Sequence, residues 1–490
     1  MTDSVFKAGY LPGLAASEVI WHRWTLGAPD APWSVDLPEL SAEQMTALAQ
    51  RVQQASRQHL KTMPVSDIVR VLDQAIARLL DSHDPYRQAL EHLLPKATGF
   101  DAEMVRLNLN SYLQTFRGLQ LQRFVAEDFA NPKVLDEFQP RAQGGWSQAF
   151  GPELLVHVWA GNVPALPLWS LISGFLVKAG SLGKVSRAEP VFATLFAQLL
   201  AEVEPRWRDC LAVVWWPSAT SKERHAFALA DVVLAYGGNE ALQAMQNNIA
   251  VTTRFLPHGH KLSFGMVSAS ALAVNKALGV ARQAALDVAR YDQQGCYSPH
   301  VFYVQRGAPV SPADFAQHLA AELAGLQHQL PRRVLSLEES THVGAWRERH
   351  EFAALNETDL NQGALTVLGN DSSASTVVFS ERLLPLSAGP LNRSVLVVAV
   401  DTLDEVMPLI SAQRHYLQTA GLAAAPEELL YLGQCLGAAG VTRVCALGAM
   451  TSPEAGWHHD GRFNLLDLVR LVDIEASTER EAQRFTSYEL

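Results

Sequence analysis

The sequence predicts an α/β protein with two doubly wound domains and a small hairpin, and three patterns support this prediction. Strand and helix patterns alternate from residue 154 to beyond residue 237, and a second alternating series starts near residue 256. Paired glycines at 144–145 separate two short segments, which is typical of a hairpin. Strands that alternate with helices form parallel sheets, and ligands bind such sheets at the carboxyl ends of the strands.

The first part of the chain, residues 41–130, has the periodicity of amphipathic helices. Apolar residues recur at i, i+3 and i+4 after Ser41 and again after Ser66. Each serine precedes its apolar run, so we expect both to cap the helices that follow.

The first domain follows a predicted hairpin and contains four predicted strands. The strands are expected at 154–160, 180–186, 210–216 and 232–236, and the helices at 164–178, 191–203 and 221–230, with another opened by Gly237 and Gly238.

The second domain starts with a predicted strand at 261–268 and a long Ala-rich helix at 271–290. The loop DQQGCYSP follows, and a strand is predicted at 300–305. The Ala/Gly-rich stretch at 420–440 is expected to form a pair of helices.

The overall composition is that of an ordinary soluble globular protein. The chain of 490 residues is 48% hydrophobic and carries a formal net charge of −11, which disfavours nucleic acid or an anionic membrane as the main partner. We expect no secretory signal and no membrane span. The four scattered cysteines favour a reducing cytoplasm and neither a disulfide framework nor a zinc site.

Cys296 is the candidate nucleophile because it lies between a glycine and a Ser-Pro in a loop. Thiolates are strong nucleophiles, and backbone N–H groups of a tight loop stabilise them. The alternative is a small buried apolar cysteine, which is the commoner role. We expect that role for Cys210, Cys435 and Cys445, which lie in apolar runs.

Asn162 follows a predicted strand and precedes a predicted helix. Its amide could donate to a developing oxyanion, or it could simply cap the helix, and the two interpretations are equally supported. Gly237 and Gly238 stand at a similar junction, where they either permit close approach of a pyrophosphate or form a turn.

Lys184, Ser186 and Arg187 lie where a predicted strand ends, at the carboxyl edge of the first sheet. Lysine and arginine there suit ribose hydroxyls and a 2′-phosphate, since the arginine fork binds phosphate bidentately. A solvated charged loop is the alternative interpretation.

The distribution of acids and histidines restricts the chemistry. No Asp or Glu occurs from Ala241 to Leu286, so a carboxylate base cannot come from that stretch. His258 or His260 could move a proton, although a structural role is commoner. The triplet 458–460 is expected to form a turn, and no metal site is predicted, because adjacent histidines point apart in regular structure.

Three segments together resemble the aldehyde dehydrogenase superfamily, and more closely its acyl-CoA reductase branch of LuxC-type fatty acid reductases. They are GNVPALPLWSLISGFLVKAGSLGKVSRAEP at 161–190, DQQGCYSPH at 292–300 and WHHDGRFNLLDLVRLVDIE at 457–475. The resemblance covers about residues 140–475, and the cysteine loop is its most specific element.

The resemblance implies a role for each candidate residue. The implied roles are Cys296 as the acylated nucleophile, Asn162 and the backbone N–H of Cys296 as oxyanion donors, Lys184 and Ser186 at the adenosine ribose, Gly237 and Gly238 at the dinucleotide, and Arg187 where NAD-preferring relatives carry Glu. A cation at that last position favours NADPH. Hydrolytic members keep a Glu in an ELGGK-like segment, whereas this chain has HGHKLSFG at 258–265.

The resemblance therefore implies a cytoplasmic homo-oligomer that reduces acyl-CoA to aldehyde with NADPH, through an acyl-cysteine and with CoA as leaving group. A separate enzyme that activates the acyl group is an implied partner. The alternatives are an NAD(P)-dependent aldehyde dehydrogenase that works oxidatively, a non-redox cysteine acyltransferase and a catalytically silent scaffold.

The predicted domain organisation follows the same resemblance. Its parts are the helical start of the cofactor domain at 1–130, a bridging or oligomerisation hairpin at 131–157, a Rossmann-like dinucleotide region at 158–255, a catalytic domain at 256–445, and a segment at 446–490 that packs on the cofactor domain or a subunit interface.

Overall fold

The computed structural model describes residues 5–27, 32–355, 364–370 and 372–485. The backbone divides into two compact units. One takes in the residues up to 98, residues 109–259 and those from 454 onward, and the other takes in residues 99–108 and 260–453.

The helices and strands alternate over most of the described chain. The strands are β1 Phe6–Lys7, β2 Ile20–Leu26, β3 Trp33–Glu39, β4 Gln139–Pro140, β5 Trp146–Phe150, β6 Leu154–Val158, β7 Gly180–Lys184, β8 Leu211–Val214, β9 Val232–Tyr236, β10 Arg254–His258, β11 Leu262–Val267, β12 Pro299–Gln305, β13 Leu365–Leu368, β14 Thr376–Ser380, β15 Ser394–Val400, β16 Leu417–Ala423, β17 Arg443–Ala446 and β18 Arg470–Ile474. The α-helices are α1 Ala42–His59, α2 Val65–Leu80, α3 Pro85–Thr98, α4 Ala102–Gln114, α5 Gly118–Asp128, α6 Pro167–Leu176, α7 Phe192–Val203, α8 Ser221–Ala228, α9 Asn239–Gln246, α10 Ala277–Ala289, α11 Pro312–Gln329, α12 Leu337–Leu355, α13 Val406–Ile410, α14 Pro426–Ala439 and α15 Ala476–Ala482.

The first unit is built on a five-stranded sheet with the order β10-β9-β6-β7-β8. All four strand pairs are parallel, as the alternating pattern predicted. From β6 the chain first extends the sheet through β7 and β8, and then returns to the other side for β9 and β10. The strand order therefore reverses between β6 and β9, and at such a reversal doubly wound sheets open a ligand crevice.

The predicted hairpin is present as β4 and β5, and β18 completes an antiparallel three-stranded sheet. Gly144 and Gly145 form its turn with φ values of 86° and 77°. A Cβ on Gly145 would lie 2.1 Å from the carbonyl oxygen of Ile474. The turn therefore needs glycine for both conformation and space. A role of this hairpin in oligomerisation stays a prediction.

The second unit is built on a seven-stranded sheet with the order β13-β14-β15-β12-β11-β16-β17. Its pairs are parallel except for β13 with β14. Two apolar clusters bury side chains of the sheet, one with α10 and α11 and the other with α13 and α14. The doubly wound architecture predicted for this region is confirmed.

The prediction of a helical pair at 420–440 was wrong for its first half. Residues 417–423 form the buried strand β16, and only residues 426–439 are helical. A Cβ on Gly421 would lie 2.5 Å from Met450 Sδ and 2.7 Å from Leu447 Cδ2. Small residues occur here because the strand is closely covered, and not because the segment favours a helix.

The helices predicted at 41–130 are confirmed, with one difference at the second helix. The prediction of a helical part that starts at residue 1 was wrong, because β1, β2 and β3 form a three-stranded sheet before α1. Ser41 caps α1, and its hydroxyl accepts from Gln44 N at 3.2 Å. The second helix begins at Val65, one residue before the predicted cap Ser66. The Val65 N–H donates at 3.0 Å to the carboxylate of Asp136, so a distant residue supplies the cap.

Replacement of Ser41 by alanine is expected to lower the free energy of unfolding by about 0.5–2 kcal/mol, the range for a lost N-cap. Ser66→Ala is the matched control and should be nearly neutral, because Ser66 is exposed and lies inside the first turn. Urea unfolding followed by circular dichroism measures both variants. If both variants lost the same free energy of unfolding, Ser66 would also act as a helix cap.

Candidate active site

Cys296 is half-buried in the loop between α10 and β12. The preceding residues Tyr291, Asp292 and Gln293 have φ values of 49°, 49° and 63°. Residues with a Cβ adopt this left-handed conformation at a cost of about 1–3 kcal/mol each unless the surroundings enforce it. The surroundings of the loop must therefore hold it in place.

A second left-handed segment lies against the first. Leu391, Asn392 and Arg393 have φ values of 61°, 54° and 65° and lead directly into β15. The Asn392 N–H donates to the carbonyl of Asp292 at 3.0 Å. Each segment therefore helps to fix the backbone of the other.

An ion pair between Asp292 and Arg393 joins the two segments. Both side chains have no exposed surface, and Arg393 Nε lies 2.7 Å from Asp292 Oδ1. The guanidinium also donates to the carbonyl of Leu330 at 2.7 Å, and the second Asp292 oxygen accepts from Arg333 N at 3.1 Å. Burial raises the pKa of Asp292, and the Arg393 charge opposes that shift.

Gln293 closes the base of the nucleophile loop. Its Nε2 donates to the carbonyl of Pro299 at 2.8 Å, on the other side of Cys296, and its Oε1 accepts from Ser394 N at 2.8 Å. The hydroxyl of Ser263 donates to the carbonyl of Cys296 at 2.8 Å. The cysteine backbone is therefore held from both ends of its loop and from the neighbouring strand β11.

The four cysteines differ in environment. Cys210 is buried, and burial together with nearby Asp209 raises the pKa of its thiol to about 12, as expected for an inert apolar cysteine. Cys435 and Cys445 are only half-buried, so the prediction of full burial was wrong for them. Of the four, Cys296 is the one on a loop fixed by left-handed backbone.

The histidines around this segment have different partners. His300 accepts from Gly389 N at 3.1 Å through Nδ1, and burial together with the His260 charge lowers the pKa of His300 to about 4. His300 is therefore a neutral imidazole whose proton is on Nε2. In the first unit, His258 lies at the end of β10 and donates to Asp460 at 2.8 Å.

His258, His459 and Asp460 form a cluster in the first unit that the sequence did not predict. Their possible ligand atoms lie within 4.8 Å of one another. The two rings stack at 4.3 Å with 22° between their planes, so their lone pairs run nearly parallel and do not converge. The predicted turn at 458–460 is confirmed, with φ 56° at Asp460, and the cluster joins it to β10.

Asn162 is exposed and lies in a turn after β6. The helix that follows begins at Pro167, and its N-cap is Leu166. The interpretation of Asn162 as a helix cap was therefore wrong, and its amide lies at the carboxyl edge of the sheet. Its role as an oxyanion donor stays a prediction.

Lys184 is the last residue of β7 and is buried, so it is not part of a solvated loop. Its Nζ donates to Ser218 Oγ at 2.8 Å and lies 3.4 Å from the Glu223 carboxylate, itself 2% exposed. Ser186 accepts from Ala188 N at 3.2 Å, and Arg187 is exposed. The sequence offered no signal that Glu223 would pair with this lysine.

Gly237 and Gly238 have open space where a Cβ would be, and their role at a dinucleotide stays a prediction. Gly238 is the N-cap of α9, as predicted, and a Cβ on it would meet nothing within 4 Å. The nearest atom to a Cβ on Gly237 would be 3.9 Å away, and neither glycine has a positive φ. Packing does not require these glycines, whereas a pyrophosphate close to the backbone would.

Comparison with known proteins decides the family. The family model described as acyl-CoA reductase (LuxC) matches residues 60–471. The chain belongs to the acyl-CoA reductase family. Its curated relatives include the long-chain acyl-protein thioester reductases of Photorhabdus laumondii, 25% identical with 80% of this chain and 78% of that protein aligned, and of Aliivibrio fischeri, 27% identical with 77% and 75% aligned.

Solved structures give the fold of this acyl-CoA reductase family member. An aldehyde dehydrogenase of Pseudomonas aeruginosa superposes with a TM-score of 0.74 at 13% identity, covering 96% of both chains. An NADP-dependent glyceraldehyde-3-phosphate dehydrogenase of Bacillus halodurans superposes with a TM-score of 0.71 at 13% identity, covering 96% of this chain and 100% of that one. The predicted aldehyde dehydrogenase-like fold is confirmed. Among the described residues, the helices include none that is both long and apolar enough to span a bilayer.

Loss of the buried arginine should be costly. Arg393→Met leaves Asp292 as an unpaired buried charge and is expected to destabilise the protein by about 3–5 kcal/mol. The double variant Asp292→Asn/Arg393→Met removes both charges and should lose less free energy of unfolding than Arg393→Met does. Arg306→Met is the matched control, because Arg306 pairs with Glu381 and Asp401 near the surface, where such pairs contribute about 0–1 kcal/mol.

Urea unfolding measures these stabilities, and the rate of Cys296 alkylation by iodoacetamide in the folded protein reports the loop. If the double variant is as unstable as Arg393→Met, the loss of free energy of unfolding comes from lost packing and not from the unpaired charge.

Proposed function

We propose that this protein reduces a fatty acyl thioester to the aldehyde with NADPH, through an acyl group on Cys296. The observation that carries the proposal is the half-exposed Cys296 on a loop with fixed backbone, in a chain of the acyl-CoA reductase family. The relatives named as long-chain acyl-protein thioester reductases favour a long-chain acyl group. CoA and an acylated protein carry the same thioester, so both are candidate donors.

The reaction proposed for Cys296 has two stages. The thiolate attacks the thioester carbonyl carbon, the donor thiolate leaves, and the acyl group remains on sulfur. NADPH, when bound, supplies the hydride that reduces this carbon. The resulting thiohemiacetal on Cys296 expels the cysteine thiolate and releases the aldehyde. For Asn162 we propose donation to the oxyanion in both stages, a role that rests on the family resemblance.

The direction of reaction is inferred from the carboxylate bases that residues 241–286 lack. Residues 241–286 contain no carboxylate, and the next one, Asp287, is fully buried. Its oxygens already accept the backbone N–H groups of Gly448 and Met450. This carboxylate is therefore unsuited to activating water, and the acyl group on Cys296 should persist until a thiol or a hydride removes it.

Cys296→Ala is expected to abolish NADPH consumption with acyl-CoA and labelling of the protein by radioactive acyl-CoA. The controls Cys210→Ala, Cys435→Ala and Cys445→Ala should keep both activities, because none of these thiols lies on the fixed loop. Nicotinamide absorbance and acid-stable label measure the two effects. A labelled thioester on Cys296→Ala would refute the proposed nucleophile.

An acyl group transferred to Cys296 without NADPH should persist long enough to isolate. A positioned general base typically contributes about a hundredfold to ten-thousandfold, and hydrolysis lacks that help here. CoA needs less assistance, because thiols are partly ionised near neutral pH. We therefore expect added CoA to discharge the labelled enzyme much faster than water does.

The measurement follows loss of label from purified acyl-enzyme with and without CoA. Rapid release of free acid in buffer alone would indicate that another group, such as His260, activates water. The oxidative aldehyde dehydrogenase alternative would then be favoured.

A further inference from the structure

The charges at the carboxyl edge of the five-stranded sheet are unequally available to a ligand. The ammonium of Lys184 faces the buried Glu223 carboxylate, which also accepts from Trp216 Nε1 at 3.3 Å and from Ala219 N at 3.1 Å. Burial lowers the pKa of Lys184, and nearby Glu223 opposes that shift. Lys184 and Glu223 together are nearly neutral, so this lysine suits a ribose hydroxyl better than a phosphate dianion.

Arg187 is the cation at this edge that remains available to a phosphate. Within the described residues its guanidinium makes no hydrogen bond or ion pair, and its side chain is exposed. The guanidinium instead lies over an aromatic ring, with its carbon 4.4 Å from the centre of the Trp24 indole. A guanidinium held over a ring face keeps its N–H groups free at the edge, where they can bind phosphate bidentately.

Trp24 is itself fixed beside the end of the sheet. It belongs to β2 and packs edge-on against Trp215, with 6.2 Å between ring centres. Trp215 immediately follows β8, whose last residue Val214 is paired with Lys184. The indole is thereby placed next to the strand end that carries the predicted ribose-binding residues. Arg187 comes three residues after Lys184, the last residue of β7, so both cations lie at the end of this strand.

We propose that Trp24 is the positioning residue through which the protein distinguishes NADPH from NADH, because it holds Arg187 at the ribose end of the dinucleotide. The proposal rests on the proposed function, since it assumes that a nicotinamide dinucleotide binds at this sheet edge. It adds a residue from the N-terminal three-stranded sheet to cofactor recognition. Without the ring, Arg187 loses its support and spends less time in the orientation that binds the 2′-phosphate.

The test compares dissociation constants of NADPH, NADH and 2′,5′-ADP for the purified full chain by isothermal titration calorimetry. Trp24→Leu should weaken NADPH binding about two- to tenfold more than NADH binding, the range expected from a cation–π contact. Trp24→Phe keeps a ring and should retain most of the preference. Arg187→Glu should remove the preference for NADPH over NADH. It should also weaken the binding of 2′,5′-ADP more than Trp24→Leu does.

Trp21→Leu is the matched control. Trp21 lies on the same strand and also has a cation over its ring, but that cation is Lys7. This variant should leave the ratio of NADPH to NADH affinity unchanged. Because the readout is a ratio, a general loss of folding would weaken both cofactors equally and would not imitate the expected result.

Two failures are distinguishable. In the first, the wild-type protein consumes NADPH with acyl-CoA, but Trp24→Leu leaves the ratio of NADPH to NADH affinity unchanged, for example by weakening the binding of both equally. The role of Trp24 is then refuted and the proposed function stands. If the wild-type protein binds no nicotinamide dinucleotide and none is consumed with acyl-CoA, the proposed function itself fails, and the role of Trp24 fails with it.

Discussion

The buried ion pair between Asp292 and Arg393 is the constraint on which the placement of Cys296 depends. It joins two backbone segments that are 101 residues apart in the chain, and each contains three consecutive left-handed residues. Such conformations persist only where the surroundings over-determine them. Here the ion pair and the amide of Gln293 hold the two segments in this conformation. The half-exposed thiol is thus held by charges that have no exposed surface themselves.

Burial also decides which charges can act at the edge of the first sheet. From the sequence alone, Lys184 and Arg187 are equivalent cations at the end of the same strand. In the structure, one faces a buried carboxylate and the other lies exposed over an indole. An ion's usefulness to a ligand depends on the partners that it already has, because a neutralised charge attracts a phosphate only weakly.

The partners that a side chain already has also distinguish residues that are close in sequence. His258 and His260 are two positions apart, and the sequence makes both candidates for proton transfer. His258 is hydrogen-bonded to Asp460 and stacked on His459, whereas the charge of His260 acts on His300. His258 therefore joins the turn at 458–460 to its strand.

The sequence by itself determined the alternating strands and helices of both units, the cap at Ser41, the Gly-Gly turn and the loop that carries Cys296. These features follow from periodicity and local turn chemistry, which act over a few residues. Only the tertiary structure decided that Asp136 caps α2, that residues 417–423 form a strand beneath Met450, and that Glu223 and Arg393 neutralise Lys184 and Asp292. Each of these depends on a partner at least 27 residues away in the chain, and local patterns carry no information about such a partner.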